Sequence, residues 1–219
     1  MLQTLQDLLL ARGTLTEIET KIIGKQIVRG VGHLHDCGFL HRDLKPENIV
    51  FAAGMVPKVI DLGFALRTAM TTVNGIWGTD GFIAPEVVAM REHSRAMDIW
   101  SIGALFFIML FGAAPKLTKE GKLSDETLTY LQSQHISLKA KDILNRALAR
   151  AKLTSDIHYG PPTPPVSATP SSPCQMVKRA QDKSAFADNG DKDTNKKSNI
   201  LISMVNNMGL VRSVWFQHV

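Results

Sequence analysis

The run His41-Arg-Asp-Leu-Lys-Pro-Glu-Asn48 sets carboxylates, cations and an amide side by side, and Asp61-Leu-Gly63 follows a short distance on. An amide oxygen at Asn48 and a carboxylate at Asp61 are hard donors, suited to a Mg²⁺ ion that substrate phosphates also hold. A separate carboxylate, Asp43, with Lys45 close by suits the orientation of a hydroxyl and the neutralisation of developing charge. Together these are the parts needed for phosphoryl transfer.

The elements around these residues must bring them to one place. Asn48–Phe51 and Lys58–Ile60 read as two short strands, and Ala52-Ala-Gly54-Met-Val-Pro57 joins them with Gly54 as the turn residue. Such a hairpin folds Asn48 and Asp61 back to the same end. Upstream, Leu2, Leu5, Leu8 and Leu9 recur at helical spacing up to Gly13. Thr16 with Glu19 forms a capping box for a second helix, whose expected buried face is Ile18, Ile22, Ile27, Val31 and Leu34, ending at Cys37-Gly38. Further helices are expected over Asp98–Phe111 and Leu138–Leu148, with a long loop without regular structure from Gly63 to Gly81. A loop of that length is usually functional.

These motifs occur in a fixed order that resembles the eukaryotic protein kinases. The resemblance covers about residues 5–157. It rests on His41-Arg-Asp-Leu-Lys-Pro-Glu-Asn48, on Asp61-Leu-Gly63, on Gly78-Thr-Asp-Gly-Phe-Ile-Ala-Pro-Glu86 and on Asp98-Ile-Trp-Ser-Ile-Gly103. Lys45-Pro-Glu47 and Thr79 are similar to the serine/threonine branch, nearest the calcium/calmodulin-dependent kinase group. The resemblance implies a mainly α fold: a kinase-like C-terminal lobe with a small β-hairpin. It implies a serine/threonine protein kinase that transfers the γ-phosphate of ATP, with Mg²⁺, to a protein hydroxyl. Asp43 would orient the substrate hydroxyl, Lys45 would neutralise the transferring phosphoryl group, and Thr79 would hydrogen-bond both. Lys45, Glu47, Asn48 and Asp61 would lie on the nucleotide, with Asn48 and Asp61 on the metal. Asp98 would brace the catalytic loop, and Arg42 would receive a phosphate on Thr71 or Thr72. His41 is expected to pack and hydrogen-bond, while His33, His35, His93, His135 and His158 are expected to carry no function.

Departures from the family pattern shape the alternative. The 40 residues before His41 read as the two helices that open the C-terminal lobe, so the expectation is a chain without the N-terminal lobe. Gly30-Val-Gly32 lies in a helical pattern, where it serves helix packing and makes no phosphate loop. Leu62 stands where the family has Phe. Glu86 would meet a late Arg in the family, whereas Lys152 precedes Leu153-Thr154 here, with Arg150 two residues earlier. The alternative function is a catalytically inactive, kinase-derived binding or scaffold module.

Composition sets the outer limits. The 219 residues carry 44% hydrophobic and 21% charged side chains, which excludes collagen-like and fully disordered chains. Net charge is +5, but Lys and Arg are scattered, so no nucleic-acid partner is expected. Two cysteines are too few for a disulfide framework, and neither has metal-ligand spacing. The start has no basic leader, and the apolar run Ile99–Ala114 is shorter than the roughly 20 residues a bilayer requires, so no membrane partner is expected. The expected compartment is cytoplasmic or nuclear. Six of ten prolines fall in 161–173, so 158–199 reads as a disordered Pro-rich and polar linker. Pro161-Pro-Thr-Pro-Pro165 offers PxxP patterns to an SH3-type partner. Residues 200–219 read as an amphipathic helix. The organisation expected is thus a lobe over 1–157, the linker over 158–199 and that helix.

Overall fold

The computed structural model describes residues 3–68, 75–91 and 93–149. The linker and terminal helix expected beyond residue 157 lie outside this range, as do Thr71, Thr72, Arg150 and Lys152. Helices dominate, with two small antiparallel ribbons.

Helix α1 (Leu5–Arg12) opens on a capping box, in which Thr4 accepts from the Asp7 amide and Asp7 accepts from the Thr4 amide. Helix α2 (Glu17–Asp36) opens on the expected box between Thr16 and Glu19. Its buried face is Thr20, Ile23, Ile27, Val31 and Leu34, while Ile18 and Ile22 face solvent. The expectation for those two isoleucines is therefore corrected. The Ile23-Ile27-Val31-Leu34 spacing keeps to one stripe, and Ile22 stands about 100° round from Ile23. Gly24 lies on that stripe because a methyl group there would meet the Phe106 ring at 2.6 Å.

After β1 (Phe39–Leu40) comes a loop and a 3₁₀ turn, Pro46–Asn48. Strands β2 (Ile49–Ala52) and β3 (Val56–Val59) form the hairpin, in register Ile49 to Val59 and Ala52 to Val56. Gly54 makes the turn at φ +74°, joined by Met55 at +57°. Strand β4 (Leu66–Arg67) pairs with β1, so the 63–81 region is not wholly irregular. Two-residue strands are too short to leave a periodic trace.

Helix α4 (Arg95–Phe111), capped by Ser94, is apolar almost all round and runs through the middle of the core. On one side Leu105 and Met109 pack with Leu5, Leu9, Ile27, Leu44 and Ile49. On the other, Trp100 and Phe107 pack with Leu40, Val87, Leu131, Leu144 and Leu148. Short helix α3 (Pro85–Val88) and helices α5 (Asp125–Gln132) and α6 (Leu138–Ala147) complete the second cluster. Gly103 lets α6 approach, since a methyl group there would lie 2.8 Å from Ala147 Cβ. Among the described residues no helix is long and apolar enough to cross a membrane.

Candidate active site at the hairpin base

Asp98 starts the construction. It is fully buried near the start of α4 and accepts three hydrogen bonds: His35 Nε2 at 2.7 Å, the His41 amide at 2.8 Å and the Arg42 amide at 2.9 Å. Burial by itself would raise its pKa. The bond from His35, the nearby imidazoles and the backbone donors outweigh that and hold it below the ordinary value. Arg42 has φ +70°, a left-handed conformation that costs a non-glycine residue energy and persists only where surroundings fix it. The Asp98 bond to its amide is one such constraint.

From there the loop turns Asp43 inward. His41, fully buried, accepts the Asp43 amide at Nδ1 and donates from Nε2 to the Ile60 carbonyl, 3.1 Å away. Burial lowers its pKa, with partial offset from Asp98 and the bond to Ile60, and the acceptor role of Nδ1 fits an uncharged ring. It is the packing and hydrogen-bonding residue expected, and it ties the loop to the residue before Asp61. The Ile60 amide bonds the Asn48 carbonyl at 2.9 Å, which sets Asp61 beside Asn48 at the hairpin base.

Four side chains then close on one another. Asp43 Oδ1 accepts from Thr79 Oγ1 at 2.8 Å, and Oδ2 lies 3.0 Å from Lys45 Nζ. Lys45 also donates to Thr79 Oγ1 at 2.8 Å. Asn48 Nδ2 donates to the Asp43 carbonyl and carboxylate at 2.8 and 3.1 Å. Gly78 permits this closure: it has φ +121°, and a Cβ there would approach the Arg42 carbonyl to 3.1 Å. Ser101 Oγ, 2.8 Å from the Phe82 carbonyl, anchors the same segment to α4.

Of the residues singled out from the sequence, the structure brings Asp43, Lys45, Asn48 and Thr79 into one bonded group. Asp61 stands next to them, exposed, at φ +64°, with Oδ1 accepting from the Gly63 amide. Glu47 is exposed on the 3₁₀ turn and takes no part in these bonds. His35 and His93 were expected to be idle. Instead His35 bonds Asp98, and His93 bonds Arg42 and the Gly75 carbonyl. Their spacing carried no signal, because Asp98 lies 63 residues from His35 and Arg42 lies 51 residues from His93.

The donor set suits a hard cation. Asn48 spends its amide nitrogen on Asp43, which turns its oxygen away from that carboxylate, and Asp61 offers an exposed carboxylate. No group of three or more His, Cys, Asp or Glu at metal-binding distance occurs among the described residues. Two oxygen ligands with the remainder supplied by water and phosphate is the usual arrangement for Mg²⁺.

Residues 1–155 match the protein kinase domain family. The chain belongs to the protein kinase family. Among curated relatives, the inactive serine/threonine-protein kinase PLK5 of Mus musculus is 36% identical over 154 residues, covering 67% of this chain and 26% of that protein. The serine/threonine-protein kinase plk-1 of Caenorhabditis elegans is 36% identical over 142 residues, 62% of this chain and 21% of that protein. The serine/threonine-protein kinase PSK1 of Saccharomyces cerevisiae is 34% identical over 157 residues, 69% of this chain and 12% of that protein. The chain thus spans 12–26% of the length of these relatives. None of these three names carries the calcium/calmodulin-dependent sub-group. The mainly α lobe with its hairpin agrees with the fold expected.

Proposed function

We propose that this chain is a serine/threonine protein kinase that uses Mg·ATP and transfers the γ-phosphate to a protein hydroxyl. The observation that carries the reading is the closed group of Asp43, Lys45, Thr79 and Asn48 beside Asp61. The Asp43 carboxylate accepts from Thr79, Lys45 and Asn48 and keeps one lone-pair position for the proton of a substrate hydroxyl. Lys45, held between Asp43 and Thr79, presents its positive charge where a transferring phosphoryl group would pass. Asn48 Oδ1 and the Asp61 carboxylate would hold Mg²⁺, which when bound neutralises phosphate charge and orients the nucleotide. Thr79, on the segment leading to α3, links acceptor and donor, so the group moves as a unit. The reading sets this activity in the cytoplasm or nucleus.

Among the described residues there is no glycine-rich loop to cover the phosphates, and the strand lysine, Lys58, belongs to the β2–β3 hairpin. Positioning and preorganised charge supply nearly all catalysis in this reaction. The 219 residues by themselves should therefore bind Mg·ATP weakly and act far below the roughly 1–100 s⁻¹ typical of kinases. The test is transfer of radiolabelled phosphate to a generic basic protein by the wild-type chain, Asp43→Asn and Asp61→Ala. Slow transfer that both substitutions abolish is expected. Equal transfer by all three would refute the assignment. A second reading, a binding module without transferase activity, draws on the likeness to a relative named as inactive. It is supported if nucleotide binding survives with no transfer at all.

A further inference from the structure

We propose that His93 is a positioning residue that fastens the Gly75–Thr79 segment to the catalytic loop through Arg42, and that it does so only as a neutral imidazole. Its bearing on phosphoryl transfer rests on the reading above; the latch itself stands on geometry.

His93 is fully buried, with its ring between the Gly75 carbonyl and the Arg42 guanidinium. Its Nε2 lies 3.1 Å from the Gly75 carbonyl, which can only accept, so Nε2 carries the hydrogen. Its Nδ1 lies 3.3 Å from Arg42 NH1, which can only donate, so Nδ1 is bare. The two contacts demand opposite roles of the two nitrogens, and the neutral Nε2–H tautomer alone satisfies both. Arg42 extends the connection. Its Nε donates to the Phe64 carbonyl, its guanidinium carbon lies 5.2 Å from the centre of the Trp77 ring, and its amide bonds Asp98. One side chain therefore holds the residue after the Asp61-Leu-Gly63 triplet, the Trp77 ring and His93 in one arrangement. Two residues beyond Trp77, Thr79 is bonded to Asp43 and Lys45.

Protonation would put an N–H on Nδ1, directed at the Arg42 guanidinium. A hydrogen bond would become a donor facing a donor, and two cations would stand 3.3 Å apart without water between them. Among the described residues the charges that bear on this contact are few. Arg42 faces the ring from the catalytic loop, and Asp98 lies behind it on the Arg42 amide. Arg91 and Arg95 flank His93 in sequence, and Arg95 donates to the His35 carbonyl. Among the described residues no carboxylate bonds the ring to favour its charged form. Burial lowers the His93 pKa below 6.5; the Gly75 bond offsets part of that, and Arg42 adds to it. The sign follows. The contribution is whole above the unfolded value of about 6.5, and is lost as pH falls through the lower folded value. A phosphate on Thr71 or Thr72 would have to share the guanidinium with His93.

The test uses the whole chain and two readouts that need no catalysis. Ring ¹⁵N shifts report the tautomer of His93, and amide hydrogen exchange over 75–82, corrected for intrinsic rates, reports the latch. Amides of α2 serve as the fold control. The expected result is an Nε2–H ring at pH 7.5, with protection over 75–82 falling roughly tenfold per unit of pH between 6.5 and the folded pKa. His93→Gln and His93→Asn can accept and donate but do not titrate, so their protection should be independent of pH. An Nδ1–H ring, a pH-independent wild type, or the same fall in both variants would overturn the proposal. Should the variants not fold, the wild-type tautomer and exchange profile still decide it. A pH-dependent latch in a chain that transfers no phosphate would reject the kinase reading and leave the latch standing.

Discussion

Replacing Asp98 by Asn should loosen the catalytic loop at its root. The carboxylate serves three buried donors: Oδ2 takes His35 Nε2 and the His41 amide, and Oδ1 takes the Arg42 amide. Asn has one oxygen. If that oxygen keeps the two contacts at Oδ2, its NH₂ faces the Arg42 N–H, donor against donor. A lost charge-assisted bond costs about 1.5–3 kcal/mol, and a buried unpaired N–H adds about 1–3. Arg42, freed from that bond at φ +70°, relaxes and recovers part of the loss. The net expectation is destabilisation by about 2–5 kcal/mol, or roughly 5–15 °C in Tm for a domain of this size. Urea unfolding followed by far-UV circular dichroism measures it, with Asp98→Ala expected to lose at least as much. The Asp98 pKa is held below its ordinary value of 3.8, so its contribution stands above that and fails only as pH falls through the lower folded value. The penalty should therefore be level from pH 5 to 8. A loss under about 1 kcal/mol, or a penalty that vanishes within that range, would refute the reasoning.

Other substitutions probe other links. Gly103→Val sets a branched side chain against Ala147 and Leu148, and should cost about 1–3 kcal/mol in thermal or urea unfolding through overpacking. Thr79→Val removes the hydroxyl between Asp43 and Lys45 and should cost about 1 kcal/mol, with Thr79→Ser restoring it in the same unfolding assay. Glu86 is buried, its Oε1 has no hydrogen-bond partner among the described residues, and burial raises its pKa above 4.5, partly offset by a backbone bond and by Arg91. A raised carboxyl pKa opposes folding at neutral pH, so Glu86→Gln should stabilise by about 1 kcal/mol at pH 7. Unfolding titrations should show that gain disappear below pH 4.5.

Much of this was legible in the sequence for a physical reason: the readable features are local. The Thr16–Glu19 capping box, the Gly54 turn and the apolar run of α4 each involve residues close in the chain, and the structure has all three. Short spacing likewise foretold that the hairpin would draw Asn48 toward Asp61. The Ile18 and Ile22 error came from choosing between two stripes that differ by about 100°, which only the packing of α4 on α2 decides. Helices α3 and α5 are short, and α5 exposes most of its residues, so neither leaves a clear apolar pattern. The roles of His35 and His93 were invisible because their partners are distant in sequence and meet only in the fold. The positive φ of Arg42 and Asp61 was equally hidden, since neither residue type announces it.

In the proposed reaction Asn48 and Asp61 together hold a divalent cation on a nucleotide next to Asp43. Mn²⁺ favours the same oxygen donors as Mg²⁺ and broadens nearby NMR signals, so Mn·ATP titrated into the ¹⁵N-labelled chain reads the site directly. The expected result is selective broadening of amides at 43–48 and 61–63 that Asn48→Ala and Asp61→Ala each abolish, with α6 amides unaffected and the fold intact. Broadening that persists in both variants, or that falls elsewhere on the surface, would contradict it.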